Sequence, residues 1–472
     1  MFKNFEEAKK YLEENDVRMI DLKWSDFYGR WHHITVSAQY FTPSMMRNGI
    51  GFDGSSVGFK PVNAGDMVLI PDLASGFLDP FYDDATISFY ADIFEADTKK
   101  PFSLDPREFV RRAEAFMQST GIADRSLWGP EYEFFIFDEV LFNNRINSSS
   151  YFVNSYEATW EEDQEMNGYL VPRSQGYHRI APSDQNQNLR NQISIMMEDF
   201  GYPVKYHHHE AGGPGHGEIE PPMLDIFHST DGAMMVKYLA KNFAHDLGKT
   251  LSFMPKPLYG EAGNGMHVHQ LLMKGGKNVF FDPNGYSQLS ETALFYIGGI
   301  LTHARALCAL TNPSTNSYKR LTPGFEAPVN CFFGKGDRSA AIRVPKYAID
   351  PEDVRIEYRT PDCTCNPYIA LPAMLLAGLD GILNKIDPRS HHFGPFEDDI
   401  FNWPAKKRSQ IKSMPYNLDS ALEALEQDHA FLVKNGVFTD EFISFWIKAK
   451  RSEFNDVASR PHPYEIELYA DC

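Results

Sequence analysis

Gly129-Pro130-Glu131-Tyr132-Glu133-Phe134-Phe135-Ile136-Phe137 sets two carboxylates two residues apart at the head of an unbroken apolar run. Side chains at i and i+2 of a strand share a face, so Glu131 and Glu133 point the same way. The phenylalanines that follow would be misplaced on an exposed edge strand. The stretch therefore reads as a buried strand that turns acid inward, where carboxylates need compensation. A solvated strand face is the competing reading of a lone Glu-x-Glu, and the apolar run weighs against it.

Three more motifs point the same way. His207-His208-His209-Glu210 is separated from Glu218 by the glycine-rich Ala211-Gly212-Gly213-Pro214-Gly215-His216-Gly217. Such a segment can turn sharply enough to bring Glu210 and Glu218 to one ion, or it can be an ordinary hairpin loop. The histidine run itself fits metal ligands, nucleotide contacts or a polar strand. His267-Val268-His269 follows Gly263-Asn264-Gly265, and two inward histidines suggest one metal ligand and one phosphate contact, against a pair of satisfied core histidines. Arg355-Ile356-Glu357-Tyr358-Arg359 adds a carboxylate between arginines. Hard oxygen ligands with a minority of imidazole and no thiolate favour Mg²⁺ or Mn²⁺ over Zn²⁺. Glu131, Glu133, Glu210, Glu218, Glu357 and His267 are too many for one magnesium, so two ions with three protein ligands each are expected. Arg320, Arg338, Arg343, Arg355 and Arg359 lie close together in sequence, with Glu326 among them. Guanidinium pairs bidentately with carboxylate and phosphate, so a substrate carrying both anions fits them; pairing with surplus surface acid is the alternative for any single one.

The 472 residues suit a large enzyme with a substantial core, at 43% hydrophobic and 14% aromatic. A net charge of −19 argues against nucleic-acid or anionic-membrane partners. Five cysteines without regular spacing make no disulfide framework, and a reducing cytoplasm is expected. The opening residues 1–10 lack an apolar signal core, and the apolar stretch Ile369 to Ile382 is interrupted by Asp380, so no membrane segment is expected.

Residues 4–16 read as a helix with Asn4 as N-cap and Glu7 completing a capping box. Strand patterns follow at Val17 to Lys23, Met67 to Ile70 and Ala85 to Ala91, around the Gly51-Phe52-Asp53-Gly54-Ser55-Ser56 turn. Asp105-Pro106 opens a helix that stops at Gly121, which sets a boundary between a small domain, 1–104, and a large one, 105–472. In the latter, strands are expected at Tyr132 to Phe137, Gly265 to Met273 and Val354 to Tyr358. Helices are expected at Asp184 to Phe200, Asp231 to Leu247, Ser290 to Leu310, Pro367 to Lys385, Asp419 to Lys434 and Asp440 to Lys450. Residues 143–178 and 386–417 read as irregular loops, flaps or subunit contacts.

Taken together, Phe52-Asp53-Gly54-Ser55-Ser56, Gly129 to Phe135, Met254-Pro255-Lys256-Pro257, Asn316 to Pro328 and Arg355 to Arg359 resemble the bacterial type I glutamine synthetase family, in order and over nearly the whole chain. The resemblance implies an α+β fold: a β-grasp N-terminal domain, then a catalytic domain with a curved antiparallel sheet flanked by helices. It implies ATP-dependent ligation of ammonia to glutamate through γ-glutamyl phosphate. By position, Glu133, Glu210 and Glu218 would hold a first Mg²⁺ or Mn²⁺, and Glu131, His267 and Glu357 a second. Arg320, Arg359 and Gly263 would bind glutamate; His208, His269, Arg338, Arg343 and Arg355 would face ATP. Asp53 would take a proton from ammonium, Arg338 would neutralise the moving phosphoryl group, and Glu326 would close a flap over the site. A dodecamer of two hexameric rings, with each active site completed by Asp53 of a neighbour, is implied as well. Phe401 stands where the family often has a regulatory tyrosine, so adenylylation is not expected and control by product feedback or a binding partner is. Leu271 and Glu352 stand where serine and lysine are common near the nucleotide. The rival readings are a γ-glutamyl ligase acting on another amine or polyamine, and a non-catalytic relative; retention of Asp53 and Glu326 favours ammonium, and retention of all six metal-ligand candidates favours catalysis.

Overall fold

The computed structural model describes residues 2–160, 168–398 and 400–472, and the chain divides into two compact units, Met1–Arg112 and Ala113–Cys472, within the helix Pro106–Ser119. The first unit is built on a mixed sheet in the order Trp31–Ser37, Met19–Ser25, Thr86–Glu95, Asp66–Pro71, Ile50–Asp53, with Phe77–Leu78 added to Thr86–Glu95. Met19–Ser25 and Thr86–Glu95 run parallel; the other pairs are antiparallel. Trp31–Ser37 escaped the sequence reading because an edge strand that stays partly exposed carries no apolar run. The first helix is Phe5–Glu14, capped by the Asn4 side chain, which accepts the Glu7 N–H at 2.9 Å. Glu7 does not close the expected box: its carboxylate accepts the Lys3 N–H instead, one residue out of register.

Met19–Ser25 lies inside the sheet, so its polar residues are buried with their partners. Lys23 Nζ lies 2.5 Å from Asp21 and 3.2 Å from Asp79, and Asp21 also accepts from the Thr35 hydroxyl at 2.6 Å and meets His33 Nδ1 at 2.7 Å. Burial alone would raise the Asp21 carboxyl, but His33 and Lys23 hold it down at about 2.

In the second unit, a four-stranded antiparallel sheet runs Tyr206–His209, His216–Glu220, Tyr132–Phe137, Thr250–Ser252. A second sheet runs Leu224–Asp225, Arg125–Pro130, Val268–Lys274, Ile356–Tyr358, Ile342–Val344, Phe333–Lys335, with a parallel last pair. The two sheets meet where the Glu131 N–H donates to the His267 carbonyl (2.8 Å) and the Glu133 N–H to that of Gly265 (3.3 Å). The antiparallel sheet expected from sequence is thus present in two pieces, and their seam carries the acidic motifs.

Buried helices back these sheets. Ile226–Asp246 starts earlier than its apolar pattern, at the Asp225 cap. Glu291–Thr311 is long and apolar enough to cross a membrane, yet 83% of its most apolar window is buried among neighbours. It packs closely on Pro367–Leu383 because Gly299 faces Gly381: a Cβ on Gly381 would stand 2.5 Å from the Gly299 nitrogen. The helix expected over 419–434 breaks after Gln427 and resumes at Ala430–Val433, while the helix expected to end at Lys450 runs on to Ala458.

Two stretches read as irregular are partly ordered. Glu139–Arg145 and Ser148–Asn154 pair as an antiparallel hairpin with Leu141, Phe142, Tyr151 and Phe152 exposed; with no buried face, it has no period-two signature to read. In 386–417, short turns form at Pro388–His391, Ile400–Asn402 and Ala405–Arg408, and Ile400 and Ile411 pack against Phe332 and Ala340. Residues 161–167 and Asp399, which belong to these stretches, lie outside the described residues.

Candidate active site

At the seam of the two sheets is a cavity of about 660 Å³. Of the sequence-predicted residues, Glu131, Glu133, His208, Glu210, Glu218, Gly263, His267, Arg320, Glu326, Arg338, Arg343 and Arg359 line it. Glu357, His269 and Arg355 are buried and linked to that lining by hydrogen bonds. Asp53 belongs to the first unit, where it is exposed and accepts from the Ser55 N–H and the Ser56 hydroxyl, both at 2.9 Å. These bonds hold its carboxyl below the usual range.

Strand register explains the clustering. Glu218 sits opposite Glu133 on one side and His208 on the other, so three motifs distant in sequence share one face. His269 is opposite Glu357, and Arg343 is opposite Glu357 on the next strand. Gly215, at φ 76°, closes the turn against the Ile136 carbonyl, where a side chain would collide. Below the turn, the buried Glu157 accepts the Gly215 N–H at 2.6 Å and meets His209 Nε2 at 3.2 Å.

One half of the cluster is compensated by the protein itself. Glu131 meets His267 Nδ1 at 2.8 Å and His269 Nε2 at 3.0 Å; burial would raise its carboxyl, but these contacts hold it well below the ordinary range. Glu357, fully buried, is held by Arg343 and by Arg359 Nη1 at 2.7 Å, and it too stays below its ordinary value despite burial. Arg320 Nη2 lies 3.2 Å from His267 Nε2 while Nη1 donates to the Thr360 carbonyl.

The other half is not compensated. Burial and the neighbouring Glu133 charge push Glu210 up to about 8, and burial with Glu131 and Glu210 pushes Glu218 well above its ordinary value. His208, 3.3 Å from Glu210, is itself pushed down to about 4 by burial and so supplies little positive charge. Glu133 turns one oxygen to the Gly265 N–H at 2.7 Å.

Three sets of ligand atoms lie close enough to share a cation: Glu131, His267 and Glu357; His208, Glu210 and Glu218; and Glu131, Glu220 and His269, each within 4.8 Å. The first is the trio expected for a second ion. In the second, His208 stands with Glu210 and Glu218 where Glu133 was expected. The third adds Glu220, which the sequence reading passed over although Glu218-Ile219-Glu220 repeats the two-residue spacing; its Oε2 is buried without a partner. These donor sets fit divalent metal: oxygen-rich, with a carboxylate pair whose mutual repulsion a cation would remove. Tyr177, Lys205, Tyr206 and Tyr347 also line the cavity, and no spacing announced them.

The acid, imidazole and guanidinium cavity of the second unit is that of a ligase of the type the sequence resembles, and the chain belongs to the glutamine synthetase family. Residues 103–469 match the family description "Glutamine synthetase, catalytic domain", and residues 16–96 match "Glutamine synthetase, beta-Grasp domain". It is 41% identical to a glutamine synthetase of Frankia alni over the full length of both chains, and 44% identical to that of Methylococcus capsulatus over 97% of each. A protein named 3-hydroxylaminophenol mutase, from Cupriavidus pinatubonensis, is 41% identical over 99% of each chain, so sequence identity at this level spans more than one named activity. The cryo-EM structure of Plasmodium falciparum glutamine synthetase superposes with a TM-score of 0.89 at 27% identity, covering 99% of each chain.

Proposed function

We infer that this chain is a glutamate–ammonia ligase: ATP phosphorylates the γ-carboxylate of glutamate, and ammonia then displaces phosphate to give glutamine, ADP and phosphate. The single observation that carries the reading is the cavity in which carboxylate trios for cations and a set of arginines for anions converge, in a chain alike over its full length to glutamine synthetases.

In this reading, His208, Glu210, Glu218 and Glu133 hold one Mg²⁺ or Mn²⁺, and Glu131, His267 and Glu357 another. Bound there, the cations would supply charge neutralisation for glutamate and for the ATP phosphates. Arg320 and Arg359, with Gly263, hold the glutamate carboxylates; His269, His208, Arg338, Arg343 and Arg355 face the nucleotide. Arg338 and Arg343 line the cavity with guanidinium that follows negative charge as the P–O bond to ADP breaks and the bond to the acyl oxygen forms. Asp53, ionised, accepts a proton from ammonium, freeing the nitrogen lone pair to attack the acyl carbon as the carbon–oxygen bond to phosphate breaks. Glu326 belongs to a flap that keeps water from the acyl phosphate; its backbone, at φ 56°, and its carboxylate, 3.6 Å from Arg338, are consistent with a poised segment.

Asp53 serves a neighbouring subunit in this scheme, within a dodecamer of two hexameric rings. Exposed apolar residues support oligomerisation: Leu141, Phe142, Ile146, Tyr151 and Phe152 on the hairpin, and Tyr464, Ile466, Leu468 and Tyr469 on the helix Pro463–Tyr469. A cytoplasmic setting is consistent with the cysteines, all free.

Release of ADP from ATP and glutamate in the presence of ammonium, compared with putrescine, tests the assignment. Ammonium should support turnover with matching glutamine formation; a preference for putrescine would replace the reading with that of an amine ligase.

A further inference from the structure

The rim of the cavity is made of three loops far apart in sequence, and two side chains join them. Glu261, buried in the wall, accepts Arg173 Nε at 2.8 Å, the Ser174 N–H at 2.8 Å and the Ser174 hydroxyl at 3.0 Å. It thereby fixes the segment that leads to Tyr177, a cavity residue. The backbone carbonyl of Glu261 in turn accepts the Lys256 ammonium. Lys256 is tied at its backbone to the flap-bearing segment, its N–H donating to Asn316 Oδ1 at 2.6 Å and its carbonyl accepting Asn316 Nδ2 at 3.1 Å. Its ammonium also stands 3.8 Å from the centroid of the Phe325 ring. Phe325 immediately precedes Glu326.

We propose that Lys256 is a positioning residue: its ammonium clamps the Phe325 ring and couples the flap bearing Glu326 to the Glu261-anchored loop bearing Tyr177. The inference rests on the ligase reading and extends it to how closure is held.

An ammonium over an aromatic face is attracted by the ring quadrupole, more strongly when partly withdrawn from water, as Lys256 is. A ring face accepts the cation over a range of offsets, so Phe325 can slide as the flap opens and recapture the same contact on closing. A carboxylate in its place would form a stiffer, directional bond. The second bond, to the Glu261 carbonyl, fixes where the ammonium waits. The residues flanking the clamp bear different groups, Tyr177 on one loop and Glu326 on the other, and Arg338 lines the cavity with both: Glu326 lies 3.6 Å from it, and Tyr177 is near enough to favour its charged form. Closing the two loops together would keep that grouping intact during the lifetime of the acyl phosphate. A flap that closed alone would leave a gap on the Tyr177 side through which water could enter.

Phosphate released per glutamine formed, measured with full-length protein, Mg²⁺, ATP and glutamate at limiting ammonium, reads this coupling directly. Lys256→Met should raise the ratio about tenfold and raise the KM for ammonium and glutamate while kcat changes less, as expected when a closed state loses a clamp of this type. Lys256→Arg, which keeps a cation over the ring, should restore the ratio to near the wild-type value. Phe325→Leu should reproduce the Met phenotype with Lys256 intact, and Phe325→Tyr should not. Hydrogen exchange at the amides of 324–327 supplies a readout independent of turnover, and faster exchange is expected in Lys256→Met and Phe325→Leu. Unchanged exchange and an unchanged ratio in either variant, or an Arg variant as uncoupled as Met, would overturn the clamp. If the wild type made no glutamine, the ligase reading would fall, and the exchange comparison would still decide the clamp. If Lys256→Met did not fold, Phe325→Leu would carry the test.

Discussion

The small unit and the cavity both bury carboxylates, and they do so to opposite ends. In the small unit, Asp21 and Asp79 surround a single lysine, and His33 and Thr35 take up the remaining Asp21 oxygen, so acid and base match within the strand and its neighbours. In the cavity, Glu131 and Glu357 are matched by His267, His269, Arg343 and Arg359, but Glu210 and Glu218 are not. A buried ion cluster that is complete stabilises a fold or fixes its geometry. One that is left incomplete points to an external cation and a ligand.

Substitutions can break that contrast, and the largest effect is expected at Glu357. Glu357→Gln leaves Arg343 and Arg359 facing an amide, and turnover should fall about 10³-fold with metal and nucleotide affinity declining together. Titrating Mg²⁺ and ATP against activity checks this; unchanged metal dependence would remove Glu357 from the cation site. Asp53→Ala should lower ammonium-dependent turnover by about 10²-fold while ATP affinity stays near the wild-type value. Equal losses in both would make the residue structural. In the small unit, Lys23→Met strands two buried carboxylates, and denaturant unfolding should show a loss of about 3 kcal/mol with metal dependence unaltered. A neutral result would mean that the lysine contributes no net stability there.

The smallest effect is one of pH. The folded Asp21 carboxyl is held down at about 2, below its ordinary 3.8, so its contribution is present above 3.8 and is lost as pH falls toward 2. That contribution is about 2 kcal/mol, and unfolding midpoints between pH 5 and pH 2 should show it. Lys23→Met should reduce that slope, because one of the two partners that hold Asp21 down is gone while His33 remains. An unchanged slope in the variant would assign the acid sensitivity elsewhere.

How much of this was legible in sequence depended on whether a residue faced the interior. Tyr132–Phe137 matched its expected bounds because an apolar run beneath two glutamates has one stable placement. The hairpin 139–154 was missed because its apolar residues are exposed and set no period. Period two predicted that Glu131 and Glu133 would share a face, but strand register decided which partners each would meet: Glu133 turned to Gly265, and His208 joined Glu210 and Glu218. Glu220 carried the same spacing and was readable. Glu157, Tyr177 and Lys256 were not, since their roles come from loops brought together only by the fold. Family resemblance supplied the reaction; the register supplied the reason its parts converge.

The most direct test of the central claim, that the incomplete acid cluster serves a metal-dependent ligase, is glutamine formation by the purified chain from glutamate, ammonium and ATP, with Mg²⁺ and after chelation. Glutamine and phosphate are expected in equal amounts with Mg²⁺, and neither once the metal is removed. Glutamine formation that survived chelation, or ATP turnover with Mg²⁺ that gave no glutamine, would contradict it.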